Sequence, residues 1–293
     1  MTTTGTATAA PREARSGRRR ATFKRLLRKP GFVFGVLVLV PLVLSAVFAP
    51  QLAPYDPSAM SSARLLPPGS PGHLLGTDNV GRDVLSRMMY GGRLSLFVGI
   101  VVIGIGASAG SLLGVIAGYF GGVVDNVIMR VTDVMLAFPD ILLALLLITM
   151  LGPGIFNVMI ALGFATIPGF TRLVRSSTLE VRSLEYVEAS RALGNRSLRL
   201  LLHHVLPNVF QPVIVVASLG VATAILAAAG LSFIGLGAAP GTAEWGAMLN
   251  DARTYMRRAW WLATVPGVTI TLAVLAISLM GEALREAFDP RIG

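Results

Sequence analysis

The chain has 293 residues, of which 54% are hydrophobic and only 14% charged, with a mean hydropathy of +0.70. Soluble domains carry about 25% charged residues, so composition excludes an ordinary soluble enzyme and a disordered chain alike. The absence of Cys excludes disulfide scaffolds, iron–sulfur clusters and thiolate zinc sites, and an integral membrane protein is the expected class.

Residues 1–20, rich in Thr, Ala and Arg, are predicted to be a disordered basic tail. Their charge suits a topology signal or an anionic-lipid contact better than a nucleic-acid arm. Residues 21–93 are predicted to hold a first span and an extracytoplasmic segment, and 94–293 a transmembrane domain with five further spans. The basic stretch 18–29 followed by apolar 32–49 has the outline of a signal peptide. The apolar stretch is longer than a usual signal core, and Pro50 follows the only plausible cleavage point, Ala49. An uncleaved signal anchor is therefore expected.

Five long runs carry no Asp, Glu, Lys or Arg: 30–55, 94–124, 141–171, 200–243 and 259–281. Each is long enough to cross a bilayer once. Gly152-Pro153-Gly154 divides the third run, because no helix interior tolerates that triplet. Residues 155–170 then make a short span. The piece before the turn is too short to cross, so its helix is expected to extend back through Asp140 and Pro139 to about Val131. That makes six spans and puts one carboxylate, Asp140, at membrane depth. In the fourth run the crossing is placed at 209–229, after Pro207, with the Gly-rich 230–243 as an exit loop or half-inserted segment.

With six spans, eighteen of the 25 Lys and Arg fall on the side that holds both termini and seven on the other. The positive-inside rule then makes the termini cytoplasmic.

Catalysis fits poorly. Lys24 and Lys29 are the only lysines, so no phosphate-binding loop of the Walker type is possible in the spans or loops beyond them. The histidines are His73 and the adjacent pair His203-His204, with no helical i+4 partner to complete a metal site. No catalytic or metal-binding residue is expected.

The cytoplasmic stretch 172–208 is the most informative loop. Leu179, Leu184, Val187 and Leu193 recur at near-helical spacing, and Gly194-Asn195 stops that helix in the manner of a left-handed cap. Asn195 or Ser197 can cap a second helix, which must end near Leu206 because Pro207 follows. Two short helices meeting at a Gly corner would make a compact cytoplasmic knob. An amphipathic hairpin lying on the inner leaflet fits the same residues.

Glu188-Ala189-Ser190, then Gly194, with Leu206-Pro207 twelve residues further on, resembles the EAA loop of ABC importer permeases. Ser190 stands where that family has a second Ala, and His204 where it usually has Ile. Further blocks narrow the resemblance to the dipeptide/oligopeptide/nickel permeases. They are Gly76-Thr77-Asp78 with Gly81-Arg82-Asp83 and Ser86-Arg87, then Tyr90-Gly91 with Arg93 and Ser95-Leu96. Trp245-Gly246 with Met248-Leu249, Trp260-Trp261, Pro266-Gly267 and the ending Leu284-Arg285 with Ala287 and Asp289-Pro290-Arg291 continue the series. Residues 23–57, with the exit Ala53-Pro54-Tyr55-Asp56-Pro57, are similar to the C-type subunit of the two paralogous permeases.

The resemblance implies an all-α membrane protein of type I ABC importer permease architecture, six transmembrane helices with a cytoplasmic helix–Gly–helix coupling loop at about 172–207. It implies import of di- or oligopeptides across a bacterial cell membrane, or of nickel, haem, glutathione or another small solute. The implied partners are a B-type permease paralogue, two ABC ATPases or a fused one, an extracytoplasmic solute-binding protein and membrane lipid. ATP and Mg would be held by the ATPases, with no cofactor on this chain and no nucleic-acid partner.

Glu188, Ala189, Ser190, Arg191, Ala192, Leu193, Gly194, Leu206 and Pro207 would couple the chain to the ATPase. Arg82, Arg87, Trp245 and Arg257 would contribute to binding-protein docking on the outer segments 61–93 and 240–259, while Trp260 and Trp261 read as membrane-belt residues. Asp140 is either a contact to the peptide ammonium group in the translocation path or a polar residue satisfied near the Pro139 kink. An ion-gradient-driven transporter coupled through Asp140 is the rival class, but the inverted repeats common there are not visible. A channel filter motif is not visible either.

Overall fold

A computed structural model describes residues 29–185 and 206–288. The predicted disordered tail 1–20, the residues Glu188–Gly194, and His203-His204 lie outside the described residues. Nine helices make up the fold among the described residues: α1 Pro30–Val47, α2 Ala49–Leu52, α3 Val84–Phe120, α4 Gly122–Leu136, α5 Asp140–Leu151, α6 Ile155–Arg182, α7 Leu206–Phe233, α8 Trp245–Ala252 and α9 Trp261–Phe288. Among those residues there is no β-strand, only two isolated bridges, Ser70–His73 and Thr77–Asp83.

Five helices (α1, α3, α6, α7 and α9) are long and apolar enough to cross a membrane, and a sixth span arises if α4 and α5 are taken together. That pair corrects the expected continuous helix from Val131 to Leu151. The chain bends by 91° between α4 and α5, because Pro139 carries no N–H and keeps Phe138 out of helical geometry. α7 is longer than the predicted crossing. It begins at Leu206 with Pro207 in its first turn, where a missing N–H costs nothing, and it runs through Gly230 to Phe233.

The centre of the fold is the packing of α3 on α6, the most closely engaged helix pair. Gly106, Gly110, Gly114 and Gly118 recur every fourth residue of α3 and all face α6. A Cβ on Gly110 would stand 2.7 Å from the Ile167 carbonyl oxygen, and one on Gly114 2.6 Å from that of Thr171. The two backbones therefore touch, the small-residue packing by which membrane helices associate without a hydrophobic driving force. Val98, Val102, Ile103, Val158, Leu162, Val174 and Leu231 complete this buried core. α1 is peripheral and leans on α9, with Gly35 lodged against Met280 and the Ala276 carbonyl.

The two faces of the bundle differ. The irregular segments 53–83 and 234–260 gather on one, the loop face. On the other, the terminal face, Lys29 pairs with Glu286. α3 has 37 residues, about 55 Å of helix, against a hydrocarbon core of about 30 Å. It stands well clear of the membrane at one end or both.

Candidate transport machinery

The loop face is held by charges that are buried and multiply bonded. Asp78 Oδ1 accepts from the Val80 and Arg82 amides at 2.9 Å each, and its Oδ2 accepts from Arg82 Nε at 2.6 Å. Arg82 Nη1 and Arg87 Nη1 both donate to the Gly241 carbonyl, at 2.9 and 3.1 Å, and Arg87 Nη2 reaches the Thr242 carbonyl at 3.2 Å. Asp251 accepts from the Gly241 amide at 3.1 Å and lies 3.7 Å from Arg87. Segment 61–93 and the α7–α8 connection are thereby clamped together. The tight loop leading into α3 depends on Gly81, whose φ of 82° is left-handed and whose Cβ would collide with the Ser61 carbonyl.

A second node joins α8 to α3. Glu244 is only 2% exposed and caps α8, accepting from the Gly246 and Ala247 amides at 2.9 and 2.8 Å and from Ser95 Oγ at 2.9 Å. Trp245 Nε1 donates to the Met88 carbonyl at 3.1 Å. Gly246 lets α8 lie on α7, since a Cβ there would stand 2.6 Å from the Ala229 carbonyl. The third node is Asp83, which caps α3 through the Ser86 amide at 2.8 Å and pairs with His73 Nδ1 at 2.9 Å. The His73 ring packs on Tyr55, with centroids 4.9 Å apart.

This arrangement corrects part of the sequence reading. Arg82, Arg87 and Trp245 were expected to present themselves for docking, yet they are 8%, 2% and 1% exposed. Their polar atoms are engaged within the chain, so they hold the loop face together and do not face a partner from it. Arg257 is exposed. Trp261 also departs from the membrane-belt reading: it is 5% exposed, packs in the loop-face core with Val84, Met88 and Trp245, and its Nε1 donates to the Thr77 carbonyl at 3.4 Å. Trp260 is 59% exposed.

Toward the terminal face, α6 carries three arginines that hold its neighbours. Arg175 makes a two-pronged pair with Asp125, Nε–Oδ1 at 2.5 Å and Nη2–Oδ2 at 2.6 Å. Arg172 Nη2 donates to Asp133 Oδ1 at 2.7 Å, and Arg182 Nη1 to the Tyr119 carbonyl at 2.9 Å. Both acids lie on α4, two turns apart and so on one side of it, whereas Val123, Val127, Val131 and Val134 leave an exposed apolar side. α6 ends at Arg182, and the backbone turns at Ser183 and Leu184. Leu179 thus belongs to the long span, not to a continuous cytoplasmic helix reaching Leu193. Glu188, Ala189, Ser190, Arg191, Ala192, Leu193 and Gly194 lie outside the described residues. Leu206 and Pro207 open α7.

Asp140 is the first residue of α5, immediately after the break. It is exposed, and its carboxylate makes no hydrogen bond or ion pair with any described residue. No group of three or more His, Cys, Asp or Glu among the described residues could hold a metal ion. Sequence reasoning missed Asp251 and the Gly241 and Thr242 carbonyls as partners of the arginines, and Glu244 as the partner of Ser95, since nothing in linear spacing joins residues so far apart. The four-residue glycine period on α3 was there to be read.

Residues 110–293 match the family described as the binding-protein-dependent transport system inner membrane component, and residues 18–68 match the N-terminal TM domain of oligopeptide transport permease C. The chain belongs to the first of these families. Among curated relatives, the di/tripeptide transport system permease protein DppC of Pseudomonas aeruginosa is 46% identical, over 89% of this chain and 88% of its own length. The dipeptide transport system permease protein DppC of Escherichia coli K12 is 49% identical, over 90% of each. A solved chain of the inward-facing MetNI methionine ABC transporter superposes with a TM-score of 0.54 at 18% identity, covering 67% of this chain and 94% of that one. At that identity the likeness establishes the fold alone, which is that of type I ABC importer permeases. The family and the five or six apolar helices make this a multi-pass inner-membrane component of a transport system.

Proposed function

We infer that this chain is one permease subunit of an ATP-driven importer of di- and oligopeptides. The observation that carries this reading is likeness to dipeptide permeases over about nine-tenths of both chains, a span that includes the loop-face clamp. Its partners are a B-type permease paralogue, two ABC ATPases or a fused one that hold ATP and Mg, and a binding protein. The loop face is extracytoplasmic and the terminal face cytoplasmic, as the Lys and Arg asymmetry requires.

In this reading the binding protein sits on a platform kept in shape by Arg82, Arg87, Glu244 and Trp245, with exposed Arg257 and Met256 at its surface. The ATPases engage the connection between α6 and α7, with Glu188–Gly194 as the coupling residues and Glu188 as a polar contact. Force on that connection reaches α6 directly. Through Arg172, Arg175 and Arg182 it moves α4 and the end of α3 as well, which swings the spans between inward- and outward-facing arrangements.

The assembled complex is expected to hydrolyse ATP faster when its binding protein carries a dipeptide. Isolation of the chain from its own membrane without attached ATPase subunits would overturn the reading. Gly194→Leu is expected to separate hydrolysis from uptake, and normal uptake by that variant would remove the knob. Labelled dipeptide, nickel and haem offered to one strain decide the substrate class.

A further inference from the structure

The bend between α4 and α5 has chemistry that the packing of the bundle does not use. No hydrogen bond between described residues reaches the carbonyls of Leu136, Ala137 or Phe138, while Pro139 O accepts from the Leu142 and Leu143 amides at 2.9 and 3.1 Å. Three carbonyls are thus left open at the C-terminal, electronegative end of α4. The unpartnered carboxylate of Asp140 stands directly beyond them.

The depth of this feature follows from α5. Its other end adjoins the loop face, because Asn157 Nδ2 donates to the Leu151 and Gly152 carbonyls at 3.0 Å and the Gly154 amide donates to Leu236 O at 3.0 Å. Twelve residues of helix then place Asp140 about 18 Å from that end, less than the thickness of a hydrocarbon core, about 30 Å.

Its direction follows from helical spacing. Asp140, Ala144 and Ile148 share one side of α5, and the last two are 0% and 1% exposed, packed in the core that includes α6. Leu142, Leu146 and Met150, which look the opposite way, are 52%, 56% and 78% exposed. Asp140 is therefore on the protein-facing side of its helix, and is exposed at the helix end beside the 91° bend. Non-helical backbone and a free carboxylate at membrane depth are tolerated where they border water within the protein, not where they meet lipid.

We propose that the α4–α5 bend is a subsite of the translocation path for a cationic group, the ammonium group of the transported peptide. Asp140 supplies the charge, and the open carbonyls of Leu136, Ala137 and Phe138 supply further acceptors. A broken span whose carbonyl end faces a path is suited to cations, and an ammonium group donates three hydrogen bonds, as a Lys side chain does. The proposal rests on the reading of this chain as a peptide permease.

The Cys-free sequence provides the test. Ala137→Cys is introduced alone and together with Asp140→Asn, and the assembled transporter in membrane vesicles is treated with a cationic or an anionic methanethiosulfonate reagent. With Asp140 present, the cationic reagent is expected to gain about tenfold over the anionic one relative to a free thiol, as an unscreened carboxylate nearby should cause. Asp140→Asn should abolish that gain, and dipeptide during turnover should slow the cationic reaction. Equal preference in both backgrounds, or no reaction with either reagent, overturns the proposal.

Uptake provides the independent arm. Asp140→Asn should lower dipeptide uptake about tenfold or more, the scale of one lost charged hydrogen bond, with ATPase stimulation by the loaded binding protein preserved and Asp140→Glu largely restoring uptake. Unchanged uptake with intact stimulation sinks the subsite alone. Absence of stimulation in the unsubstituted transporter sinks the peptide-permease reading itself.

Discussion

Arg87 on the loop face and Arg172 on the terminal face are held in opposite ways. On the loop face Arg87 and Glu244 are each 2% exposed and Asp83 is 3%, and each engages two or more partners. On the terminal face the side chains of Arg172 and Asp133 are 58% and 54% exposed and form a single pair. Removing one partner of a buried charge pair costs about 3–5 kcal/mol, so the first kind fixes one geometry. An exposed pair is worth at most about 1 kcal/mol, so it can break and re-form cheaply. In a transporter, the first kind suits a platform and the second a moving part.

The largest effect is expected where that contrast is deepest. Arg87→Ala removes one of the two arginines on the Gly241 carbonyl and the buried guanidinium that lies 3.7 Å from both Asp78 and Asp251. It should cost about 3–5 kcal/mol, seen as a large fall in the thermal midpoint of the purified complex. A shift as small as that for an exposed pair would erase the distinction between the faces.

Gly114→Leu should follow, since its Cβ would meet the Thr171 carbonyl. Overpacking there should cost about 1–3 kcal/mol, and Gly104→Ala, with nothing within 4 Å, is the control that should lose nothing. Glu244→Gln keeps the shape of the α8 cap but loses the charge, at about 1–2 kcal/mol, measured in the same assay.

The smallest change is expected for the exposed pair, with Arg172→Ala and Asp133→Ala coupled by less than about 1 kcal/mol in a double-mutant cycle. The assignment of the faces has its own check. A single Cys at Ser183 should react with impermeant reagents from the cytoplasmic side only, and one at Ser70 from the other side only.

Much of the fold was legible because the bilayer imposes length and apolarity on a span. The uncharged runs therefore locate α1, α3, α6, α7 and α9 to within a few residues at several ends. The bend at Pro139 was misjudged, because a need for span length was allowed to outweigh the local geometry of proline. The docking residues were misjudged for another reason. Arg and Trp in a loop read as surface until their partners are known, and those of Arg87 lie at Asp78, Gly241, Thr242 and Asp251.

Composition and charge distribution settle that this chain lives in a membrane, and the absence of lysine beyond Lys29 settles that no Walker loop lies among its spans. Those are properties of single residues against a solvent, and they need no third dimension. Which charges are structural and which are free was decided only by tertiary structure. Burial and pairing depend on residues far apart in the chain, as with Ser95 and Glu244, brought together only when α8 settles against α3 and α7.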